Sequence, residues 1–376
     1  MALSFDLDEQ VVKSLRDLNN KFSEVYAALK QTLPEDLESI HRYAKISMIG
    51  ASTRIENALL TDSEVNWIDT ILTQSGKVSD FKKYENTIKN KLSKDRERSI
   101  EEVAGCRSML MLIYENNKDL VPLKEVDMRF LHHELLSPYK KAEHYAGQYK
   151  TQPNSVVEVN HESGSTRTVF KTADPGPITF TAMAELISWY NQEVNISPWP
   201  FAVSCEFVFR FLAIHPFQDG NGRLGRGLFL LSLLNCSVDV FEFVTRYLAI
   251  DRYIEKHKEE YYFSLNRCSN GIFRQNPEEY NIQYFLLFMI KVLQEALQGV
   301  SALKGKIQAE KNLSETAELV LKCFRDFPEI RLTTSKIIEE TRLNRRTIIR
   351  NLNILVDGQL IQKYGEGAGT RYQLTF

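Results

Sequence analysis

The sequence predicts a mainly α-helical protein with one small β-hairpin and a smaller C-terminal unit that combines helices with two strands. Two observations support this fold class. Apolar side chains recur at steps of three and four residues over most of the chain up to residue 312, which is the spacing of one helix face. In that region only the stretch around residues 156–170 shows the short alternating runs of strands, whereas two more such runs close the chain after residue 359.

Composition restricts the class of protein. With 376 residues the chain is long enough for two or three domains. Apolar residues make up 43% and charged residues 26%, and the net charge of −2 gives no overall attraction to nucleic acid or membranes. No apolar run reaches the roughly 18 residues that span a bilayer, and the N-terminus lacks a basic and apolar leader. Five cysteines without paired spacing indicate free thiols, so we expect a cytoplasmic protein without a membrane segment.

The spacing of apolar residues predicts helices over most of the chain. Adjacent histidines in one of them, His132 and His133, point to different helix faces, so we interpret them as packing residues rather than as ligands of a shared metal. Pro198 and Pro200 open the helix that ends at residue 214. Helices are predicted at about 8–30, 45–60, 76–98 (a Lys- and Glu-rich insertion), 99–115, 125–136, 179–194, 251–268, 278–299 and 301–312.

The most informative stretch is the polar loop at residues 215–226, which separates two apolar runs, 207–214 and 228–234. Pro216 disfavours helix at the residue before it, so a new helix is expected to begin near Asn221. The first backbone N–H groups of that helix have no helical acceptor, and the helix dipole is positive at this end. The sequence therefore predicts an anion site at the start of the second helix.

The side chains around this helix start suit a phosphate. Arg223 and Arg226 share a helix face, and Asp219 is an oxygen ligand of the kind that magnesium takes beside phosphates. His215 could accept a proton from an incoming hydroxyl. Together they indicate phosphoryl or nucleotidyl transfer. Taken singly, the same residues also suit a structural histidine, a simple turn and a solvated basic face.

These twelve residues, His-Pro-Phe-Gln-Asp-Gly-Asn-Gly-Arg-Leu-Gly-Arg from His215 to Arg226, resemble the signature of the Fic-domain family at every fixed position. The resemblance implies a helical core that transfers AMP from ATP to a hydroxyl side chain of a target protein. It implies His215 as general base and Asp219 as the magnesium ligand. It also implies a phosphate site formed by Gly220, Asn221, Gly222, Arg223 and Arg226.

An upstream segment carries a second resemblance. Ser52 to Asn57 is similar to the family's inhibitory motif, a Ser or Thr followed after three residues by Glu and then Gly or Asn. Without the resemblance, Ser52 and Glu56 indicate only a polar helix edge. With it, Glu56 is expected to pair with Arg226 and draw that arginine away from the γ-phosphate, because a carboxylate competes with a phosphate for the same guanidinium.

The hairpin and a tyrosine pair complete the expected site. By the resemblance, the hairpin at residues 156–171 is the flap of the family, whose edge would bind an extended target segment by strand addition and set its hydroxyl before His215. The alternative is a decorative turn. Tyr261 and Tyr262 resemble the pair that lines the family's nucleotide pocket, although aromatic residues at helical spacing are more often core. Just ahead of the hairpin, Lys150 stands where the family usually has Arg.

The chain changes character near residue 315. Helices are expected from Leu319 and over 333–340, Asn344 can cap a third, and two strands follow at 360–364 and 370–374. This order resembles a winged helix-turn-helix. Residues 331–376 hold eight Lys or Arg against four Asp or Glu, so DNA could bind through residues 344–372. Protein contact or packing is the alternative use of such a unit.

We therefore predict an ATP- and magnesium-using protein adenylyltransferase, acting on a Ser, Thr or Tyr hydroxyl of a target or of itself, and inhibited by Glu56. The alternatives are a DNA-binding regulator that senses a nucleotide, and a related enzyme that removes AMP or transfers another phosphate-containing group. The expected domains are an N-terminal helical region with the inhibitory helix (1–120), a Fic catalytic core (121–312) and a winged helix-turn-helix (313–376).

Overall fold

The protein is mainly helical, as predicted. The structure, a computed structural model, describes residues 3–73, 81–92, 96–159, 166–236, 238–327 and 330–375. In chain order its elements are α1 (Glu9–Lys30), α2 (Pro34–Ile55), α3 (Asp62–Thr73), α4 (Phe81–Leu92), α5 (Glu97–Asn116), α6 (Glu125–Leu136), β1 (Ser155–Val159), β2 (Thr166–Lys171), α7 (Pro177–Glu193), α8 (Pro200–Ile214), α9 (Asn221–Leu234), α10 (Asp239–Thr245), α11 (Ile250–Lys256), α12 (Lys258–Ser269), α13 (Gln283–Lys311), α14 (Glu315–Asp326), β3 (Leu332–Thr333), α15 (Thr334–Thr341), α16 (Arg345–Asp357), β4 (Ile361–Tyr364) and β5 (Arg371–Leu374).

Helices α8 and α9 form the centre of the main body. Every residue of α8 from Phe201 to Ile214 is buried, because a helix that is apolar on all sides must be covered on all sides. Helices α7, α9 and α13 pack on α8, and α5 and α10 pack on α9. Helix α2 packs against α5, α11 and α13, which brings its C-terminal end to the start of α9.

Several predicted boundaries need correction. The expected run 251–268 is two helices, because the chain breaks at His257 between α11 and α12. The expected pair 278–299 and 301–312 is the single helix α13, in which Gly299 leaves room for the hydroxyl of Tyr253 rather than ending a helix. Helices α3 and α10 and strand β3 were not predicted. Helix α4 lies within the predicted insertion, of which 76–80 and 93–95 fall outside the described residues.

The predicted hairpin is present. Strands β1 and β2 pair antiparallel, with an irregularity in register between Val156 and Val157. The expected turn at Ser163–Ser165 lies outside the described residues. Lys171, the last residue of β2, also pairs with Ile272, which ties the base of the hairpin to the segment after α12.

The C-terminal unit has an apolar core of its own. Helix α14 packs on α15 and α16, and the three short strands form a sheet in the order β3-β5-β4. Asn344 caps α16 as predicted, its side chain accepting a hydrogen bond from the amide of Thr347. Ile348, Leu352 and Leu355 are fully buried on the inner face of α16. This core, from Val320 to Tyr372, is distinct from the larger core, which extends from Val11 to Leu303.

All five cysteines are buried free thiols, as the sequence indicated. By length and composition alone, α13 could cross a bilayer, but 56% of its most apolar stretch is buried inside the protein. It packs along α1, α8 and α12, as a core helix does.

Candidate active site

The loop between α8 and α9 is held closed by its own side chains. Helix α8 ends at His215 in the left-handed conformation (φ 52°), and Gly220 (φ 78°) precedes α9. The Asn221 side chain accepts from the amide of Phe217 (2.9 Å) and donates to its carbonyl (2.7 Å). Helix α9 begins at Asn221, as predicted, but the side chain of this residue is committed to the loop. Any contact of Asn221 with an anion is therefore left to its backbone N–H.

His132 packs against the loop between α8 and α9, as expected of a packing residue. Its ring stacks on Phe217 with centroids 3.9 Å apart. Nδ1 accepts from the amide of Gly147 (2.8 Å), so Nε2 carries the proton and donates to the carbonyl of Asp219 (2.9 Å). Burial lowers the pKa of His132 to about 4. Among the described residues no cluster of His, Cys, Asp or Glu could hold a metal ion by itself.

His215 is poised to accept a proton. Its Nδ1 lies 3.2 Å from the carbonyl of Leu212, which can only accept, so the proton sits on Nδ1 and the lone pair on Nε2 meets no donor among the described residues. Burial, and then the positive charge of Lys150, lower the pKa of His215 to about 4. The imidazole is therefore neutral near pH 7, the form a base requires.

Asp219 is an ionised carboxylate beside two arginines. Its Oδ1 accepts from the amide of Gly220 (2.6 Å) and from Arg223 (3.3 Å), and Oδ2 accepts from Arg98 (3.1 Å). Burial favours the neutral acid, but Arg223 and these hydrogen bonds outweigh burial and lower the pKa of Asp219. A single, partly exposed carboxylate fits a magnesium ion whose remaining ligands are phosphate oxygens and water.

Arg223 and Arg226 are both buried at the first turns of α9. Nε and Nη1 of Arg223 and Nη1 of Arg226 have no hydrogen-bond acceptor among the described residues. Buried guanidinium N–H groups that lack an acceptor are costly, and a bound anion would satisfy them. The two arginines therefore fit the predicted phosphate site.

The predicted pair between Glu56 and Arg226 is present. Oε1 of Glu56 lies 2.9 Å from Nη2 of Arg226, and Ser52 accepts from the same arginine through its hydroxyl (3.0 Å) and its carbonyl (2.8 Å). Burial opposes the charge of Arg226, but Glu56 outweighs burial and raises the pKa of Arg226. The carboxylate of Glu56 also touches the first turn of α9, where a Cβ at Gly222 would collide with it.

The predicted site residues lie around one cavity of about 280 Å³. All predicted site residues except Ser52 line it, and Ser52 reaches it through Arg226. Tyr261 is buried and Tyr262 is half-buried, with ring centroids 5.3 Å apart on the cavity wall, so both contribute to the site as well as to packing.

Several residues of the site were not predicted from the sequence, and Lys150 stands out there only as a departure from the family pattern. Glu102 lines the cavity and lies 2.6 Å from Nε of Arg98, and Asp251 lies 3.6 Å from Nε of Arg226. Lys150 and Asn154 contact the loop that carries His215. These residues are distant in sequence from the motif, and only the tertiary packing brings them to it.

Comparisons with known proteins agree with this geometry. The sequence profile of the Fic/DOC family matches residues 122–233, which include the loop and most of α9. A Fido domain-containing protein of Dictyostelium discoideum is 35% identical over 92 residues, which are 22% of this chain and 64% of that protein. The chain thus spans less than two thirds of this curated relative.

Solved structures show the same fold. A Fic family protein from Desulfovibrio desulfuricans aligns over 100% of this chain and 98% of its own, with a TM-score of 0.55 and 22% identity. A Fic domain-containing signalling protein from Bacteroides thetaiotaomicron covers 77% of this chain and 96% of its own (TM-score 0.54, 22% identity). Fic-1 from C. elegans covers 77% and 72% (TM-score 0.52, 16% identity).

The fold and the helix-start site define a helical protein built to hold an anion beside a neutral histidine. The family match makes the class more specific: residues 122–233 match the Fic/DOC family, and the chain is similar to Fic and Fido domain-containing proteins. Proteins with this domain typically transfer nucleotide groups to proteins.

Proposed function

We propose that this protein transfers AMP from ATP to a hydroxyl side chain of a target protein, and that Glu56 holds the activity in check. The observation that carries the proposal is the convergence of a neutral His215, an ionised Asp219 and the buried Arg223 and Arg226 on one cavity. Each supplies what nucleotidyl transfer needs: a base, a metal ligand and cations for the phosphates.

In the proposed reaction the target hydroxyl attacks the α-phosphorus of ATP. Nε2 of His215 takes the hydroxyl proton, the new bond joins the target oxygen to phosphorus, and the bond to the β-phosphate oxygen breaks. Pyrophosphate leaves with the electron pair of that bond. Arg223, Arg226 and the first-turn amides of α9 hold the phosphates and stabilise their charge. A magnesium ion on Asp219 would neutralise charge on the leaving phosphates.

The proposed inhibition is competition for one guanidinium. Glu56 occupies Nη2 of Arg226 and lies against Gly222, where a phosphate at the start of α9 would also bind. Two anions cannot share this position, so ATP binds productively only when Glu56 moves away. Glu56 is only one residue beyond the end of α2, and 33% of its side chain is exposed, so its displacement requires no opening of the core.

The proposal is tested by AMP transfer from α-labelled ATP with magnesium, with and without a lysate as a source of targets. We compare the wild type, Glu56→Gly, and Glu56→Gly combined with His215→Ala. Label is expected strongly only in Glu56→Gly, on the protein itself or on a target. No label from any of the three would reject AMP transfer and favour AMP removal or transfer of another phosphate-containing group, which the same residues could support.

A second function, DNA binding, is proposed for the C-terminal unit because of its unpaired cations. Arg345, Arg346 and Arg350 are exposed along α16, and none of them has an ion-pair partner among the described residues. The acidic Glu339 and Glu340 of α15 instead both pair with Lys336, which balances one of their two negative charges. The element order supports a winged helix-turn-helix in which α16 would enter the major groove.

DNA binding is tested by fluorescence anisotropy with a 25-base-pair duplex of random sequence at several salt concentrations. Replacing Arg346 and Arg350 by alanine should weaken binding and reduce the salt slope by about two, one for each lost phosphate contact. Lys322→Ala, on the exposed side of α14, is the matched control. Equal affinity and equal slope in all three proteins would leave the unit as a protein-contact module.

A further inference from the structure

A buried lysine lies between the hairpin and the loop that carries His215. Lys150 is only 3% exposed, and its ammonium donates to three oxygens: Oδ1 of Asn154 (2.8 Å), Oγ1 of Thr172 (3.1 Å) and the carbonyl of Ile214 (3.0 Å). Burial lowers the pKa of Lys150 to about 8, and Asp174 offsets part of that shift. A lysine so deeply buried is costly unless its hydrogen bonds serve the structure.

Two of these partners mark the base of the hairpin. Asn154 directly precedes β1, and Thr172 directly follows β2. Thr172 also donates to Asn154 (2.7 Å to Oδ1), so the two ends of the hairpin are joined to each other as well as to Lys150. We call Lys150, Asn154 and Thr172 the flap clamp.

The flap clamp also binds the backbone around His215. Lys150 donates to the carbonyl of Ile214 from its ammonium and to the carbonyl of Pro216 from its backbone N–H (2.8 Å). Asn154 donates from Nδ2 to the carbonyls of His215 (3.3 Å) and Phe217 (2.7 Å). Four consecutive carbonyls thus accept from two residues of the clamp, while His215 is held in its left-handed conformation.

We propose that Lys150 is a positioning residue that fixes the hairpin relative to His215, so that a hydroxyl presented on the hairpin reaches Nε2 of His215. The inference rests on the proposed function, because it assigns the hairpin to target binding. The rate depends strongly on the distance between the target hydroxyl and Nε2 of His215, since a displacement of about 1 Å can lower the rate of a transfer reaction roughly 100-fold. ATP binds on the α9 side of the cavity, so its affinity should depend little on the clamp.

Lys150 acts on the same histidine through its charge. Three charged groups influence His215: Lys150 favours the neutral imidazole, whereas Glu56 and Asp219 favour the imidazolium. In the Glu56→Gly background of the test, Asp219 is the remaining carboxylate, so removal of the ammonium should raise the pKa of His215 even though burial still lowers it. The acid limb of a pH–rate profile would then move to higher pH.

The test uses the full chain with Glu56→Gly, to which Lys150→Met or Lys150→Arg is added. Lys141→Met is the matched control, because Lys141 is an exposed lysine that lies outside both the hairpin and the lining of the cavity. Three quantities are measured: ATP affinity by calorimetry in the presence of magnesium, the kcat and KM of AMP transfer, and the titration of the His215 ring by NMR. Thermal melting verifies that each variant is folded.

For Lys150→Met we expect ATP affinity within about threefold of the parent, kcat lower by at least about 30-fold, and a higher pKa of His215. Lys150→Arg keeps the charge, so the pKa of His215 should stay low while kcat recovers in part. Lys141→Met should match the parent in all three measurements.

An unchanged kcat in a folded Lys150→Met variant, or a kcat loss matched by an equal loss of ATP affinity, would overturn the inference. If the Glu56→Gly parent transfers no AMP, the proposed function fails first, and the NMR titration still decides the electrostatic part. A pKa of His215 that is the same with and without Lys150 would then remove the link between the clamp and the histidine.

Discussion

Oδ2 of Asp251 lies 3.6 Å from Nε of Arg226, whereas Glu56 contacts Nη2 of the same guanidinium. Asp251 is fully buried at the start of α11, and this oxygen has no hydrogen-bond donor among the described residues. Two carboxylates therefore share one arginine. They differ in exposure: the side chain of Glu56 is partly exposed at the end of α2, whereas Asp251 is buried beside Arg226.

Asp251 should give the protein an unusual pH dependence. Burial raises the pKa of Asp251 to about 6, although Arg226 opposes the shift. A carboxyl whose folded pKa is raised stabilises the fold below its unfolded pKa, and that contribution is lost as the pH rises through about 6. The loss is up to about 3 kcal/mol for a shift of this size. Denaturant unfolding of the wild type and Asp251→Asn between pH 4 and 7 should show this loss of unfolding free energy only in the wild type. The same pH dependence of the unfolding free energy in both proteins would contradict a raised pKa of Asp251.

His132 should act in the opposite direction. Burial lowers its pKa to about 4, so its contribution to stability is complete above the ordinary value of 6.5 and is lost as the pH falls through about 4. His132→Gln cannot ionise, and its free energy of unfolding should fall less than that of the wild type over this range, by up to about 3 kcal/mol. His133→Gln, at the exposed neighbour, is the control and should follow the wild type. Urea unfolding at pH 7 and pH 4.5 measures both.

Ser52→Ala should release the inhibition only in part. The variant loses the hydrogen bond from Nε of Arg226 to the hydroxyl but keeps the one to the Ser52 carbonyl and the pair with Glu56. One such bond is worth about 1 kcal/mol, so AMP transfer should rise about fivefold, well below the rise for Glu56→Gly. Ser39→Ala, at an exposed position of the same helix, should have no effect. A rise equal to that of Glu56→Gly would make Ser52 the main inhibitory contact.

Gly222→Ala should displace Glu56 from Arg226 without activating AMP transfer. The added Cβ would collide with the Glu56 carboxylate and approach Nη1 of Arg226 to 3.3 Å, so the inhibitory pair must open. The same methyl group narrows the space for a phosphate at the first turn of α9. We therefore expect low AMP transfer and at least about tenfold weaker ATP binding, even with Glu56→Gly. High activity in Gly222→Ala alone would show that the phosphate does not bind at this turn.

The sequence predicts the parts of the site that are contiguous in the chain. The motif and its proline and glycines placed the start of α9 at Asn221, and the resemblance of residues 52–57 to an inhibitory motif predicted the pair between Glu56 and Arg226. The capping residue Asn344 was also correct. These features depend on local backbone preferences and on short motifs, which a single sequence contains.

The remaining features depend on packing that no local pattern reports. Asp251 sits in an otherwise helical run, and only the approach of α11 to α2 and α9 gives it a role. The flap clamp joins positions 150, 154 and 172 to the loop at 214–217 through side chains that each read as ordinary loop residues. The break at His257 and the continuity of α13 through Gly299 likewise follow from neighbours: Gly299 is tolerated because Tyr253 fills the space beside it.

Each of the two apolar cores contains buried cysteine, so the rate of cysteine labelling can measure how often each core opens. Cys323 is the only cysteine of the C-terminal core, and the other four are buried in the main body. Burial raises the pKa of these thiols, that of Cys106 to about 12, so an alkylating reagent reacts only when the surrounding structure opens. The rate of labelling at Cys323 therefore measures how often the C-terminal unit opens, independently of the main body. A bound DNA duplex or nucleotide would slow the alkylation of the cysteines in the core that it stabilises.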